Sequence, residues 1–227
     1  MSIDRNKGGV KMGIPVLILG ESGSGKSSSM RNFDEKEILI FNVANKPLPF
    51  RKKLGSIKGQ ATTDAEYSCV KAYIEKYKEK VKTFVIDDSQ YLMAFEMFEK
   101  AKETGYGKFT DCALHFYNLV QYVIKETPED VIVYFLHHTE TSDTGKIKAK
   151  TSGKMLDSQI TLEGLFSIVL MAKTDGKTYK FVTQSDGYTT CKSPLEMFES
   201  EIDNDLKFVD TTIREYWGLV PGEEKGE

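Results

Sequence analysis

Short apolar runs alternate with longer segments of helical period through residue 136, and after that strands follow strands. Residues 14–19 are apolar at every position and end at a glycine. A run without polar alternation predicts a strand covered on both faces, as in a parallel sheet. A glycine-rich turn follows, then a short helix over 26–33. A second strand is expected at 38–43, broken off by Pro47 and Pro49. Residues 62–80 read as a helix, with Val70, Ile74 and Tyr77 at helical spacing. A third strand at 83–86 closes on Asp87-Asp88. Tyr91, Phe95 and Phe98 mark the core side of the next helix, which Gly105-Tyr106-Gly107 interrupts. Residues 111–126 read as a further helix, with Leu114, Asn118 and Tyr122 in register, and 131–136 as a fourth strand. The longest polar stretch, 139–159, reads as a loop. Strands are expected at 165–172 and 179–183, joined by the turn Thr174-Asp175-Gly176-Lys177, and Asp186-Gly187 marks a second turn. A last helix spans about 205–217, with Trp217 as its anchor.

Alternation of strand and helix predicts an α/β fold with a mostly parallel central sheet flanked by helices. The late strands would add antiparallel hairpins at its edge. The 227 residues fit one domain. It is expected over 14–220, with a polar arm at 1–13 and a flexible tail at 221–227. Charge changes this picture little: a net −3 argues against a surface coated for constitutive nucleic-acid binding but leaves room for a local basic loop. The three cysteines lie far apart and form no C-x-x-C pair, so neither a disulfide framework nor a zinc site is expected, and a reducing cytoplasm is the simplest setting. No apolar run approaches the roughly 20 residues that span a bilayer, so no membrane partner is expected.

The chemistry is concentrated first in Gly20-Glu21-Ser22-Gly23-Ser24-Gly25-Lys26-Ser27, which meets G-x-x-x-x-G-K-[ST] in full between a strand and a helix. Glycines let the backbone wrap an anion and aim several N–H groups at it. The helix start, through Ser28, adds its own unpaired N–H groups. Lys26 places a point charge on the β- and γ-phosphates, and the Ser27 hydroxyl is a ligand for Mg²⁺. The expected ligand is ATP with Mg²⁺.

The third strand ends in the second element such a site needs. Asp87 is the candidate to hold the metal, directly or through water. Asp88 either polarises the attacking water or caps the following helix. No glutamate closes the second strand, where Asn42 and Asn45 stand instead. Asn45-Lys46-Pro47 resembles part of a guanine-reading motif but lacks its aspartate, which favours ATP over GTP.

His137 and His138 close the fourth strand, where a polar residue can touch the γ-phosphate. Strand alternation lets only one of them face it; a solvated pair is the alternative. Beyond them Lys146, Lys148, Lys150 and Lys154 cluster with no acid between them. Such charge suits the phosphates of a nucleic acid, and equally a mobile surface loop. No aromatic is interleaved to stack bases. Lys192, with Lys180 as second choice, could complete a neighbouring subunit's site in trans, or be an ordinary surface lysine.

Strand–loop–helix at 14–33, Val85-Ile86-Asp87-Asp88-Ser89-Gln90, Phe135-Leu136-His137-His138-Thr139-Glu140, Lys180-Phe181-Val182-Thr183-Gln184 and Lys192-Ser193-Pro194 together resemble the bacteriophage RecA-like P-loop ATPases of the single-strand annealing type. The likeness covers roughly 14–200. It implies one RecA-like core that hydrolyses ATP, binds single-stranded DNA through 139–154, and promotes annealing or strand exchange. It also implies a ring or filament of identical subunits, with a phage single-strand binding protein as a further partner. The rivals are a helicase or helicase loader, a nucleotide-gated assembly protein with little turnover, and, lacking a lid-like arginine run, a small-molecule kinase.

Overall fold

The apolar runs read from the sequence become the middle of one sheet. The computed structural model describes residues 12–54, 56–57, 65–152 and 161–219. Most of the N-terminal arm, Lys154 and the C-terminal tail lie outside the described residues. In chain order the elements are β1 (Ile14–Gly20), β2 (Ile38–Asn42), β3 (Ser56–Ile57), α1 (Ala65–Tyr77), β4 (Thr83–Asp87), α2 (Gln90–Glu99), α3 (Gly107–Glu126), β5 (Ile132–Thr141), β6 (Ile147–Ala149), β7 (Ile168–Thr174), β8 (Tyr179–Val182), β9 (Glu201–Asp203) and α4 (Leu206–Tyr216). The sheet order is β3-β2-β4-β5-β1-β7-β8-β9, with β6 paired to β5. Pairing is parallel from β3 across to β7 and antiparallel at β7–β8, β8–β9 and β5–β6. The structure thus has the expected class: an α/β fold with a mostly parallel sheet and late antiparallel strands.

Alternation along the central strands divides the core in two. Leu17, Leu19, Phe84, Ile86, Val133 and Phe135 pack with α1, α2 and α3 on one face. Val16, Ile18, Val85, Tyr134 and Leu136 pack with Met30 and α4 on the other. This parity settles side-chain direction at the strand ends. Asp87 continues the Val85 face and His138 the Leu136 face, whereas His137 continues the Phe135 face. β5 lies between β1 and β4, with Gly20 opposite His138 and Asn42 opposite Asp87. The parallel strands therefore deliver the loop, the acids and the histidines to one edge of the sheet.

Several elements differ from the sequence reading. The turn after the loop is a 3₁₀ helix, Ser27–Asn32, rather than an α-helix. Ser29 bonds its hydroxyl to the Lys26 carbonyl at 2.6 Å, and such local serine bonds compete with α-helical pairing. α3 begins earlier, and its core face is Cys112, Ala113, Phe116, Leu119, Val120 and Val123, while Leu114 is exposed. In α2, Tyr91 and Phe95 stack at 5.3 Å, but Phe98 is 77% exposed. The polar stretch after His138 is not all loop: β5 runs on to Thr141 and turns back into β6. Trp217 stands at the carboxyl end of α4, 38% exposed, with its ring edge-on to Tyr216. The α4 anchor is Arg214, whose guanidinium bonds Asp210, Thr83 and two backbone carbonyls. No disulfide joins Cys69, Cys112 or Cys191. Among the described residues no helix is long and apolar enough to cross a membrane.

Candidate functional site

The loop 20–27 leaves β1 and curls over a cleft of about 370 Å³ at the carboxyl ends of the parallel strands. Gly23 and Gly25 take left-handed φ of 82° and 94°, a region that costs side-chain-bearing residues dearly. Gly25 has a second constraint: a Cβ there would come within 2.7 Å of the Tyr179 ring. Lys26 is almost wholly buried, and its ammonium donates to the Gly20 and Glu21 carbonyls, 2.8 Å each. Burial lowers its pKa to about 8, against the pull of Asp88 and Asp87. Ser24 Oγ and both ends of the Asn204 carboxamide are buried without a protein partner. Asn204 stands behind Gly25, and Ser24 borders the neighbouring cleft rather than this one.

Ser27 Oγ donates to Asp87 Oδ1 at 2.8 Å. Burial raises the Asp87 carboxyl to about 6, with the Ser27 bond pulling the other way. A buried carboxylate beside a hydroxyl is a hard-oxygen pair suited to Mg²⁺. Among the described residues no group of three or more His, Cys, Asp or Glu side chains could hold a metal alone. Mg²⁺ commonly uses one or two carboxylates together with substrate phosphates, so the donor set fits it.

Asp88 adopts φ 62° and turns out of the strand. It does not cap α2; Ser89 stands at that position without a side-chain cap bond. Its oxygens accept instead from His138 Nε2 at 3.1 Å and Lys46 Nζ at 2.9 Å. Burial pushes the Asp88 carboxyl upward, but these two bonds outweigh it and hold the pKa at about 2. His138 lines the cleft.

His137 does not. It is fully buried on the opposite face and bridges Ser89 Oγ at 2.8 Å and the Lys150 carbonyl at 2.7 Å. A carbonyl only accepts, so Nε2 carries the proton and Nδ1 accepts from Ser89. Burial drives its pKa down to about 4. Of the two histidines expected at this strand end, His138 lines the cleft and His137 is a buried clasp on the other face. A histidine ordinarily near 6.5 and depressed on folding makes the native state bind fewer protons than the unfolded one. Its contribution to stability is complete above pH 6.5 and is lost as pH falls toward 4, about 3 kcal/mol in all. Urea unfolding at pH 7 and pH 4 should show that loss, and His137→Gln should reduce it by that amount.

The remaining lysines fall elsewhere. Lys146 and Lys150 are exposed, and Lys148 pairs with Glu140 at 3.0 Å, all on the β5–β6 hairpin. Lys192 pairs through its backbone with Val169 and lines no part of its own chain's cleft. Lys180 is held by Asp203 at 2.6 Å. The sequence reading missed Tyr179 and Asn204, which reach the loop through the β8–β9 hairpin and carry no local motif. Lys46 was noticed only as a fragment of a guanine motif. Its signal was the asparagine at the end of β2: the Asn42 carboxamide clasps both the N–H and the carbonyl of Lys46.

No family model matches the chain, and no curated protein is similar to it in sequence. A solved structure that it matches is a prototypical ATPase from the type III secretion system of pathogenic bacteria, with TM-score 0.49 and 12% identity over 70% of this chain and 51% of that one. The chain spans about half the length of that protein, and at this distance the likeness adds nothing about chemistry. No comparison narrows the chain to a bacteriophage group.

Proposed function

We propose that this protein binds ATP with Mg²⁺ and hydrolyses it. One observation carries the reading: loop 20–27, the Ser27–Asp87 pair at 2.8 Å and the Asp88–His138 pair line a single cleft. Backbone N–H groups of the loop would take the phosphates, and Lys26 would leave the two carbonyls for the β- and γ-oxygens. Ser27 and Asp87 would hold Mg²⁺, which supplies positive charge against the phosphates as negative charge moves toward the leaving group. Asp88, tied by His138, is too weak a base to take a proton outright. Its part is to accept a hydrogen bond from the attacking water and aim it in line. The water oxygen bonds to the γ-phosphorus, the bond to the β–γ bridging oxygen breaks, and the water's protons stay with inorganic phosphate or pass to solvent.

We further propose single-stranded DNA as the partner of the β5–β6 hairpin. In support, β5 carries both the His138 that lines the cleft and the strand that bears the lysines. The His137 clasp ties Lys150 to Ser89, next to Asp88. A second cleft of about 220 Å³ separates the hairpin's Thr139 and Ile147 from Glu21 and Ser22. Annealing or strand exchange, assembly as a ring or filament, and Lys192 acting on a neighbour belong to this same proposal. The test is phosphate release with and without single-stranded DNA, beside a gel shift across salt. DNA should stimulate turnover. Replacing Lys146, Lys148 and Lys150 by alanine should remove the stimulation and flatten the salt slope by about 2. Turnover indifferent to DNA, with no gel shift, would leave a nucleotide-gated assembly protein as the better reading.

A further inference from the structure

We infer that Lys46 is the residue by which this site tells a nucleoside triphosphate from a diphosphate: it exchanges Asp88 for the terminal phosphate. This rests on the phosphate-loop reading and adds to it a second cation, supplied by the same chain.

The position of Lys46 is built. Asn42 ends β2 beside Asp87, and its carboxamide both accepts from the Lys46 N–H at 3.1 Å and donates to the Lys46 carbonyl. Asn45 takes a left-handed φ of 52° to close that turn. The backbone at Lys46 is thus fixed while its stem stays free. The ammonium lies 5.1 Å from the Tyr91 ring centroid and 2.9 Å from Asp88 Oδ2. Lys46 lines the same cleft as Lys26, Ser27, Asp87 and Asp88, and the two ammoniums are close enough that Lys46 lowers the affinity of Lys26 for its proton.

The energetics favour exchange. The Lys46 side chain is 59% exposed and that of Asp88 13%, so the ammonium can swing away through solvent while His138 stays on the carboxylate. A terminal phosphate offers more charge and three acceptor oxygens, and charge-assisted bonds to it are stronger. The same phosphate would face the Asp88 carboxylate, so a cation between the two relieves like-charge repulsion. A diphosphate ends one group short, on the Lys26 side, and leaves Lys46 on Asp88. Discrimination then comes from the two ligands' different demand for this one ammonium. The exchange also frees Asp88 Oδ2, while Oδ1 keeps His138, so the water-accepting oxygen becomes available only with a triphosphate bound.

The test is calorimetric titration of MgATP and MgADP into wild type, Lys46→Met, Lys46→Arg, Asn42→Ala and Lys26→Ala. Lys46→Met should weaken ATP by about tenfold or more, in line with loss of one charge-assisted bond, and move ADP by less than about twofold. Lys46→Arg should keep most of the preference. Asn42→Ala, which leaves the ammonium but loosens its backbone, should fall between. An ATP-to-ADP affinity ratio unchanged in Lys46→Met, or equal weakening of both ligands, would overturn the inference. If Lys26→Ala bound both nucleotides like wild type, the phosphate-loop reading itself would fail, whichever way Lys46 behaved. Matching melting temperatures would show that each variant is folded.

Discussion

Lys26→Met is expected to lower nucleotide affinity and turnover on the order of 10²-fold or more, the scale seen when one preorganised electrostatic group is removed from a site, and to melt no lower than wild type. The two halves of this expectation come from the same geometry. The ammonium is buried, and burial lowers its pKa to about 8. Folding therefore has to keep a charge out of water at neutral pH, with two carbonyls and the carboxylates of Asp88, Asp87 and Glu21 in return. The sign follows from linkage: a lysine depressed on folding costs stability below its folded pKa, and the cost fades as pH rises through 8 toward the unfolded value. Methionine keeps the stem and removes that cost. Functional residues held at the expense of stability are the ones whose removal spares or raises the melting point. Phosphate release, MgATP titration and a thermal melt on one preparation decide the matter. Normal turnover would refute the assignment of the cleft. A large fall in melting temperature would instead make Lys26 a structural residue.

Much of this site was legible because it rests on short-range signals. The loop spacing, the apolar run before it and the acid pair after 83–86 each lie within one element, and the alternation rule already required one histidine to face away. The rule could not say which, because parity at His137 and His138 depends on where β5 starts and how it registers with β1. The hairpin was read as loop for a related reason. Thr139 to Thr141 are polar, and a β-strand that leaves the core loses the apolar pattern which would announce it. Leu114 and Phe98 misled in the opposite direction: each holds helical spacing with an aromatic or apolar neighbour, but the face that the sheet covers is set by packing. Asp88 is the clearest case of tertiary override. Its role depends on Lys46, 42 residues away, and His138, 50 residues away, and no window of sequence brings the three together.

Arg214→Ala is expected to be the most destabilising single change away from the loop, at about 3–5 kcal/mol, the cost of removing one partner from a buried pair. That corresponds to a fall in melting temperature on the order of 10 °C for a chain of this size. The guanidinium binds Asp210 Oδ2 at 2.7 Å, the Asp130 carbonyl at 2.7 Å, and the Lys82 carbonyl and Thr83 hydroxyl at 3.1 Å each. Asp210 also accepts from Thr83 at 3.0 Å and from the fully buried Tyr134 hydroxyl at 3.1 Å. Truncation leaves that carboxylate buried with no cation. Lysine cannot stand in, because one ammonium does not reproduce the fork that reaches two strand starts at once. Adding Asp210→Asn to Arg214→Ala should recover part of the loss, since the amide keeps an acceptor for Tyr134 and Thr83 without a buried charge. The effect should also reach the cleft. α4 packs on the 3₁₀ turn that follows the loop, where Asn32 bonds its capping residue Asp205 at 2.7 Å and Arg31 bonds the Asn204 carbonyl at 2.7 Å. With α4 loosened, that turn loses its backing, so nucleotide should protect Arg214→Ala less than it protects wild type in a thermal shift. Equal protection would mean that the loop is held by the sheet alone and that α4 serves only the far end of the fold.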